Sequence, residues 1–145
     1  MIDFEISVLI DRPVHEVFTF ISNPLNLAGW QSMVKEVRPV TAGPVAVGSK
    51  YTTQGELLGR KLEGLLEVTE YEPDTQFGYQ GSAGPMRIHG VMTLKPAGTG
   101  ARVSLKAHGE PGGMFKLAEG LLANQVKSQM IANLERLKSI LEAGA

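Results

Sequence analysis

The chain has 145 residues, the size of one ordinary domain, and 43% of them are hydrophobic, which is enough for a buried core. Its 14 Lys and Arg against 15 Asp and Glu leave a formal net charge of -1, which provides no electrostatic basis for binding nucleic acid or an anionic membrane. The absence of cysteine excludes disulfides, thiolate metal sites and a cysteine nucleophile. No signal-peptide pattern and no apolar run of roughly 18 residues is present, so we expect a cytoplasmic protein without a membrane span.

The first thirty residues predict one strand and two short helices. Apolar and polar side chains alternate over residues 2–10, which indicates a half-buried strand. Pro13 then suits the start of a helix, because its fixed backbone angle is already helical, and apolar residues recur at helical spacing over 14–21. Asn23-Pro24 interrupts that pattern and favours a second short helix that ends near Trp30.

The middle of the chain predicts a run of strands. Helical spacing disappears after Val34, and short extended segments alternate with turn residues such as Gly43-Pro44 and Pro73-Asp74. Gaps of hairpin length between these segments favour an antiparallel meander. The predicted strands cover residues 34–41, 49–57, 60–71, 75–81, 86–95 and 101–109.

The end of the chain predicts a single long helix. Apolar residues recur at every third or fourth position from Met114 to Leu141, which predicts some 30 residues of helix, roughly 45 Å long, with Gly120 as a site where it could bend. An antiparallel sheet of six or seven strands with one apolar face needs a cover, and only this helix is large enough. The predicted fold class is therefore α+β, a sheet packed on a long C-terminal helix, and residues 1–145 form a single domain without a linker.

Five stretches of the sequence form a pattern that is specific in combination. Taken with the order of elements, they resemble the START-like, or helix-grip, superfamily (SRPBCC), and within it the polyketide cyclase/dehydrase and lipid transport group. The stretches are Ile10 to Phe18, Asn23-Pro24 to Trp30, Gly48 to Tyr51, Glu67 to Pro73, and Leu94 to Val103, where Ala101 stands in place of the usual Thr. The resemblance implies a curved sheet and a START-like ligand-binding domain with a cavity between sheet and helix, but it predicts function weakly, since this fold serves carriers, cyclases, hydroxylase domains and hormone receptors.

The side chains predicted to face this cavity carry no charge. The inward polar groups are the hydroxyls of Tyr51, Thr53 and Tyr79, none of which is ionised near pH 7. Strand two has no clear facing, because Val37 lies on the opposite parity to Val34 and Val40. The predicted ligand-binding set is Trp30, Met33, Tyr51, Thr53, Leu66, Phe77, Tyr79, Met86, Ile88, Met92, Met114, Phe115, Ala118 and Leu122.

Several of these residues have a plainer interpretation as core. The methionines suit a pocket that accepts varied apolar guests, because thioethers are flexible and polarizable, but the same property makes them fillers of core gaps. Trp30 either lines the cavity mouth or plugs the core. Phe115 would cover an entrance near the turn at Gly109–Gly113.

The sequence has no motif for a metal, a cofactor or a nucleophile. His15, His89 and His108 do not have the spacing of a local metal site, and neither a G-x-S-x-G motif nor a phosphate-binding loop is present, so we expect no metal and no cofactor. His89 shares a strand face with Arg87, opposite the inward Met86, and is expected to be an exposed cross-strand partner unless that parity is inverted. Catalytic residues stay unassigned, with Tyr79 and His89 as candidates for a general acid.

The leading functional hypothesis is a protein that binds a hydrophobic or amphipathic small molecule of the lipid, quinone or aromatic polyketide type. The alternative is an enzyme of the polyketide cyclase/aromatase type, which would hold a reactive chain in one folded conformer within the same cavity. A third class, an interaction module of the same fold, has little support in the sequence. An exposed sheet edge would permit a homodimer.

Overall fold

The computed structural model describes residues 1–57 and 59–144, with the backbone alone at Met114. The strands are β1 (Ile2–Ile10), β2 (Val34–Pro39), β3 (Lys50–Leu57), β4 (Arg60–Glu72), β5 (Gln76–Ala83), β6 (Met86–Ala97) and β7 (Gly100–Glu110). The helices are α1 (Val14–Ile21), α2 (Leu27–Trp30), α3 (Met114–Leu117) and α4 (Glu119–Glu142), and a 3₁₀ turn at Pro24–Asn26 precedes α2. The predicted strand ends therefore lie within two residues of the observed ones.

The seven strands form one antiparallel sheet in the order β1-β7-β6-β5-β4-β3-β2. From β2 to β7 each strand pairs with the next along the chain, which is the predicted meander, and β1 joins at the β7 edge. The sheet curves around α4, which confirms the predicted fold. Interruptions of the register, between Val34 and Glu36 and between Val68 and Glu70, contribute bends of the kind that bulges produce.

The first of these bulges explains why the sequence leaves the facing of strand two ambiguous. Val34 and Val37 both pack partly buried against the core, although they are an odd number of residues apart. The irregularity between Val34 and Glu36 changes the parity of the strand, so both side chains reach the same face. Val40 lies beyond the end of β2 and is exposed.

The prediction of one 30-residue helix is wrong in its first part. The backbone at Ala118 has φ -111° and ψ 27°, which separates the single turn α3 from the 24-residue α4, about 36 Å long. The break precedes Gly120, the position at which a bend is expected from the sequence. The periodicity does not reveal it because one separate turn leaves the spacing of the apolar residues unchanged.

The core lies between the concave face of the sheet and α4. Every third or fourth residue of α4 is buried there, from Leu122 to Leu141. A row of aromatic side chains runs from Phe18 on α1 to Tyr71 on β4 and then to Phe77 and Tyr79 on β5, with ring centroids 5.5, 6.3 and 6.4 Å apart. Among the described helices, none combines the length and apolarity that crossing a bilayer requires.

Candidate ligand site

Two small cavities lie on the concave face, and they share five wall residues. The first, here called the β3 lobe, has a volume of about 90 Å³, and the second, the α4 lobe, of about 80 Å³. Each has several times the space that one water molecule needs. The shared residues, here called the junction, are Gln31, Met33, Tyr79, Met86 and Ile88.

Beyond the junction the two lobes have different apolar walls. The β3 lobe adds side chains from α2 and from β2 to β5, and the α4 lobe adds side chains from β1, β7 and α4. No Asp, Glu, Lys or Arg occurs among the described residues that line either lobe. The principal additions to the β3 lobe are Leu27, Val34, Thr53, Gln54, Leu57, Leu62, Leu66, Ser82 and Ala83, and those to the α4 lobe are Ile2, Phe4, Leu105, Ala107, Val126 and Met130.

Tyr79 is a buried phenol at the centre of the junction. It points inward from the middle of β5, because its neighbours Gly78 and Gln80 take the outward parity. Gly90 lies opposite it on β6, where an added Cβ would come within 3.2 Å of the Tyr79 hydroxyl, so glycine leaves room for the ring. Burial raises the pKa of Tyr79, and the nearby Gln31 amide opposes that rise. The phenol is therefore a neutral hydrogen-bond donor at physiological pH.

Gln31 is the second polar group of the junction. Its side chain is 6% exposed and lies near enough to the Tyr79 oxygen to oppose the rise of that pKa, but Nε2 makes no hydrogen bond of standard geometry within the described part of the chain. Its backbone is held on both sides: its N–H donates to Leu27 O at 2.8 Å and its carbonyl accepts from Val34 N at 3.1 Å. The residue thus presents an unpaired amide from a firmly held turn between α2 and β2.

Six of the predicted ligand residues line the lobes. They are Met33, Thr53, Leu66, Tyr79, Met86 and Ile88. Five others are buried in the core outside the described walls of both lobes, namely Trp30, Phe77, Met92, Phe115 and Leu122. Ala118 is half-buried at the helix break, and the side chain of Met114 lies outside the described residues.

Tyr51 and Trp30 are the two aromatic predicted residues that carry a polar atom and yet lie outside both lobes. Tyr51 lines a separate surface cleft beside α1, with Phe18 and Tyr71, and burial raises its pKa while Ser49 opposes the rise. Trp30 is fully buried, and its indole Nε1 has no partner among the described residues. Within this structure the ring of Trp30 is a core side chain.

The predicted ligand-binding set does not include Gln31, Val34, Val126 and Met130, among others, although Met130 is one of the methionines expected to face the interior. Gln31 falls in a turn, where neither strand nor helix parity assigns a direction. The only indication in the sequence that Gln31 reaches the cavity is its position directly after Trp30, at the end of a predicted helix. Val126 and Met130 belong to the apolar stripe of the predicted helix, but a stripe does not show which of its members border empty space.

Two of the three histidines, His89 and His108, pair with carboxylates on the outer face of the sheet. His89 Nε2 lies 3.6 Å from Glu70 Oε1, and His108 contacts Asp3 at 2.6 Å and Glu110 at 3.1 Å. His89 and His108 are register partners on β6 and β7, so their side chains lie on the same face of the sheet. Both residues also border the α4 lobe, but their imidazoles engage these outer carboxylates. Among the described residues, no group of three or more His, Asp or Glu side chains is arranged to hold a metal ion.

Comparisons with known proteins agree with this architecture. The profile of the family described as polyketide cyclase/dehydrase and lipid transport matches residues 1–142. No curated protein matches the chain significantly.

Solved structures with the same fold include three bacterial proteins. The Zhui aromatase/cyclase from Streptomyces sp. R1128 has a TM-score of 0.77 at 13% identity, over 97% of this chain and 93% of that one. A conserved protein from Geobacillus kaustophilus has a TM-score of 0.77 at 18% identity, covering 95% and 93% of the two chains. The protein TTHA0849 from Thermus thermophilus has a TM-score of 0.74 at 20% identity, covering 99% of each. At these identities the likeness shows the fold alone.

Proposed function

Because the chain belongs to the polyketide cyclase/dehydrase and lipid transport family, we propose that it binds a hydrophobic or amphipathic small molecule in the two lobes. Lipids, quinones and aromatic polyketides are the classes that suit such a site. The observation that carries the proposal is an apolar cavity whose described walls contain no Asp, Glu, Lys or Arg. We further propose that residues 1–145 form one ligand-binding domain. We place the protein in the cytoplasm and expect it not to bind nucleic acid.

Apolar contact would supply most of the affinity. Removal of apolar surface from water contributes about 25 cal/mol per Å², from which the cost of ordering the ligand and the side chains is subtracted. Tyr79 and Thr53 would orient a polar group of the ligand, since a few placed donors give such pockets their specificity. The lobes are small, so larger members of these classes would require the walls to open.

Access to the lobes is proposed at two turns that touch each other. A Cβ added at Gly112 would lie 2.6 Å from the carbonyl oxygen of Pro85, so the β5–β6 turn and the segment after β7 are in close contact. Met86 and Gly109, which flank these turns, border the α4 lobe. Separation of the two turns would open that lobe without disturbing the sheet register.

Two substitutions test the site. Ile88→Trp would fill space in both lobes, and we expect it to weaken binding of the neutral fluorescent probe 1-aminoanthracene by at least about tenfold. Tyr79→Phe removes one hydroxyl, and we expect a roughly 3- to 10-fold loss for ligands with an acceptor oxygen, the effect of one hydrogen bond. Fluorescence titration measures both effects.

The matched control is Tyr71→Phe, because Tyr71 lies in the same aromatic row but lines the surface cleft beside α1. It should leave the affinities unchanged. Unaltered binding in both Ile88→Trp and Tyr79→Phe, with both variants folded by circular dichroism, would refute the assignment of the site.

The cyclase alternative has one observation in its favour. Tyr79 is a protonated donor inside an apolar cavity, and such a group could polarise a carbonyl of a chain held in a folded conformer. If the protein is a cyclase, Tyr79→Phe should lower the yield of one ring pattern from a linear poly-β-ketone thioester while binding persists. His89→Ala should leave that yield unchanged, because its imidazole pairs with Glu70 on the outer face.

A further inference from the structure

We propose that the ligand carries a neutral acceptor oxygen near the middle of its apolar body, and that Gln31 Nε2 donates a hydrogen bond to this oxygen at the junction of the two lobes. The inference rests on the proposed function and narrows its ligand class. It favours molecules with an internal carbonyl, such as diaryl ketones, over molecules with a terminal carboxylate, such as fatty acids.

The side-chain amide of Gln31 is a buried hydrogen-bond donor without a partner among the described residues. Nearly all buried polar groups in folded proteins have a hydrogen-bond partner, and one that lacks a partner incurs the full cost of its lost hydration. Gln31 is only 6% exposed, lines both lobes, and leaves Nε2 without a partner in the described structure. A ligand oxygen at the junction would satisfy this N–H.

The junction has two hydrogen-bond donors, the amide of Gln31 and the phenol of Tyr79. The phenol of Tyr79 belongs to the same junction as the amide of Gln31, and the two side chains are close without forming a hydrogen bond of standard geometry. A carbonyl oxygen has two lone pairs and can accept from both groups at once. The junction therefore fits a carbonyl better than it fits a group that must donate.

The two donors lie where the two lobes meet. Gln31 and Tyr79 border both lobes, and the walls beyond them are largely apolar on each side, with Leu57 and Leu62 in one lobe and Leu105 and Val126 in the other. A ligand that places its oxygen at the junction can extend one apolar arm into each lobe. A ligand with its oxygen at one end would fill only one lobe, or would bury that oxygen among aliphatic side chains.

The charge of the cavity walls limits the charge of the ligand. The described walls of both lobes lack Lys and Arg, and the histidines that border the α4 lobe engage outer carboxylates. A carboxylate in this cavity would lose its hydration and would have to compete with Glu70, Asp3 and Glu110 for the histidines that border the α4 lobe, which is unfavourable. The acceptor is therefore neutral.

The donor is also held in position before a ligand arrives. In addition to the backbone bonds of Gln31, the N–H of the next residue, Ser32, donates to Asn133 Oδ1 at 3.1 Å, which ties the turn to α4. A donor on a fixed backbone loses little freedom on binding, and this favours affinity.

The experiment compares three probes by displacement of 1-aminoanthracene. Benzophenone has its carbonyl between two rings, diphenylmethane has the same outline without oxygen, and 4-biphenylcarboxylate has charged oxygens at one end. We expect benzophenone to bind about tenfold more tightly than either of the others, the effect of one good hydrogen bond. Gln31→Met should reduce the preference for benzophenone over diphenylmethane by about threefold or more, since Tyr79 still donates, and should leave diphenylmethane affinity unchanged.

The matched control is Gln129→Met. Gln129 is another amide with a buried, unpaired atom, Oε1, but it lies on α4 outside the described walls of the lobes, so this variant should keep the preference. Thermal unfolding separates the proposed role from a structural one, since Gln31→Met should not lower the melting temperature. A second measurement needs no variant: the infrared C=O stretch of bound ¹³C-labelled benzophenone should lie below its value in hexane.

The outcomes separate this inference from the proposed function. Binding of 1-aminoanthracene and diphenylmethane without a preference for the ketone overturns the inference alone. So does a preference that is undiminished in Gln31→Met, an unshifted C=O stretch, or tightest binding of the carboxylate. Failure of every probe to bind overturns both proposals.

Discussion

At the scale of single residues, the alternation of side chains along β5 and β6 separates the apolar cavity face from the charged outer face. Inward positions of β5 and β6 carry Tyr79, Met86 and Ile88, whereas the outward positions between them carry Gln80, Arg87 and His89. Each side chain points to the opposite face from its neighbours in sequence, so a neutral cavity and a charged outer surface share the same strands. Charged groups are consequently concentrated on the outer surface, although His89 and His108 also border the α4 lobe.

His108 provides a test of the outer face. Its hydrogen bond to Asp3, with the further charge of Glu110, raises the pKa of His108 above its usual 6.5, because carboxylates favour the protonated ring. Asp3→Asn should lower that pKa, as measured by an NMR titration of the imidazole. Asp74→Asn, which removes the carboxylate partner of His15 instead, is the control and should leave His108 unchanged.

The same shift sets the direction of a stability effect. A raised folded-state pKa contributes stability that is fully present below the unfolded value near 6.5 and is lost as the pH rises through the folded value. The denaturation midpoint of the wild type should therefore fall across this window more than that of His108→Gln. Equal pH dependence of the two proteins would contradict a folded-state origin for the shift.

At the scale of elements, α4 is anchored at both its middle and its end. Near its C-terminus, Lys138 Nζ donates to Leu9 O at 2.8 Å, and Asp11 N donates to Glu142 Oε2 at 2.8 Å. In the middle, Asn133 is 1% exposed and accepts from Ser32 N. The helix is therefore tied both to the end of β1 and to the turn that carries Gln31.

Asn133→Ala tests the middle anchor. The substitution leaves the Ser32 N–H without its acceptor and removes buried volume, so we expect a loss of about 2–3 kcal/mol in the free energy of unfolding, measured with urea. Asn124→Ala, at an exposed position of the same helix, should cost less than about 0.5 kcal/mol. If Asn133→Ala costs no more than this control, the contact contributes nothing to holding the turn.

At the scale of the whole molecule, the core is assembled from distant parts of the chain. The register of β1 with β7 joins Ile2 to Gly109, and α4 packs across the concave face from the opposite end of the sequence. The lobes lie within this shared core, since β1 and α4 contribute Phe4 and Val126 to one of them. Occupation of the lobes should therefore stabilise the entire fold.

The change in melting temperature on ligand binding tests whether occupation of the lobes stabilises the fold. A ligand that binds only the folded protein at 100 times its Kd adds about 2.7 kcal/mol to the free energy of unfolding. Benzophenone should raise the melting temperature of the wild type in proportion to the logarithm of its concentration. In Ile88→Trp the same additions should have little effect. An equal rise in both proteins would place the binding outside the lobes.

Local pattern was enough to predict the elements and their order, whereas the curved sheet and its cavity were implied by the family resemblance. Alternation over residues 2–10, turn residues between the later strands and the apolar stripe of the C-terminal helix each report a regular element through its own period. The strand ends came within two residues because Gly and Pro mark turns for backbone reasons that are local. The neutral character of Thr53 and Tyr79 could likewise be predicted, since parity places them on one face with Met86 and Ile88.

The tertiary structure was needed wherever the relevant property is not periodic. The bulge after Val34 and the break at Ala118 change the backbone without changing the apolar spacing around them. Gln31 points into the junction from a turn, where no period assigns a direction. Trp30 and Met92 pack into solid core, whereas Ile88 borders empty space, although all are apolar and face inward. Chemical type and parity determine which side chains face inward, but only three-dimensional packing determines which of them leave a cavity between them.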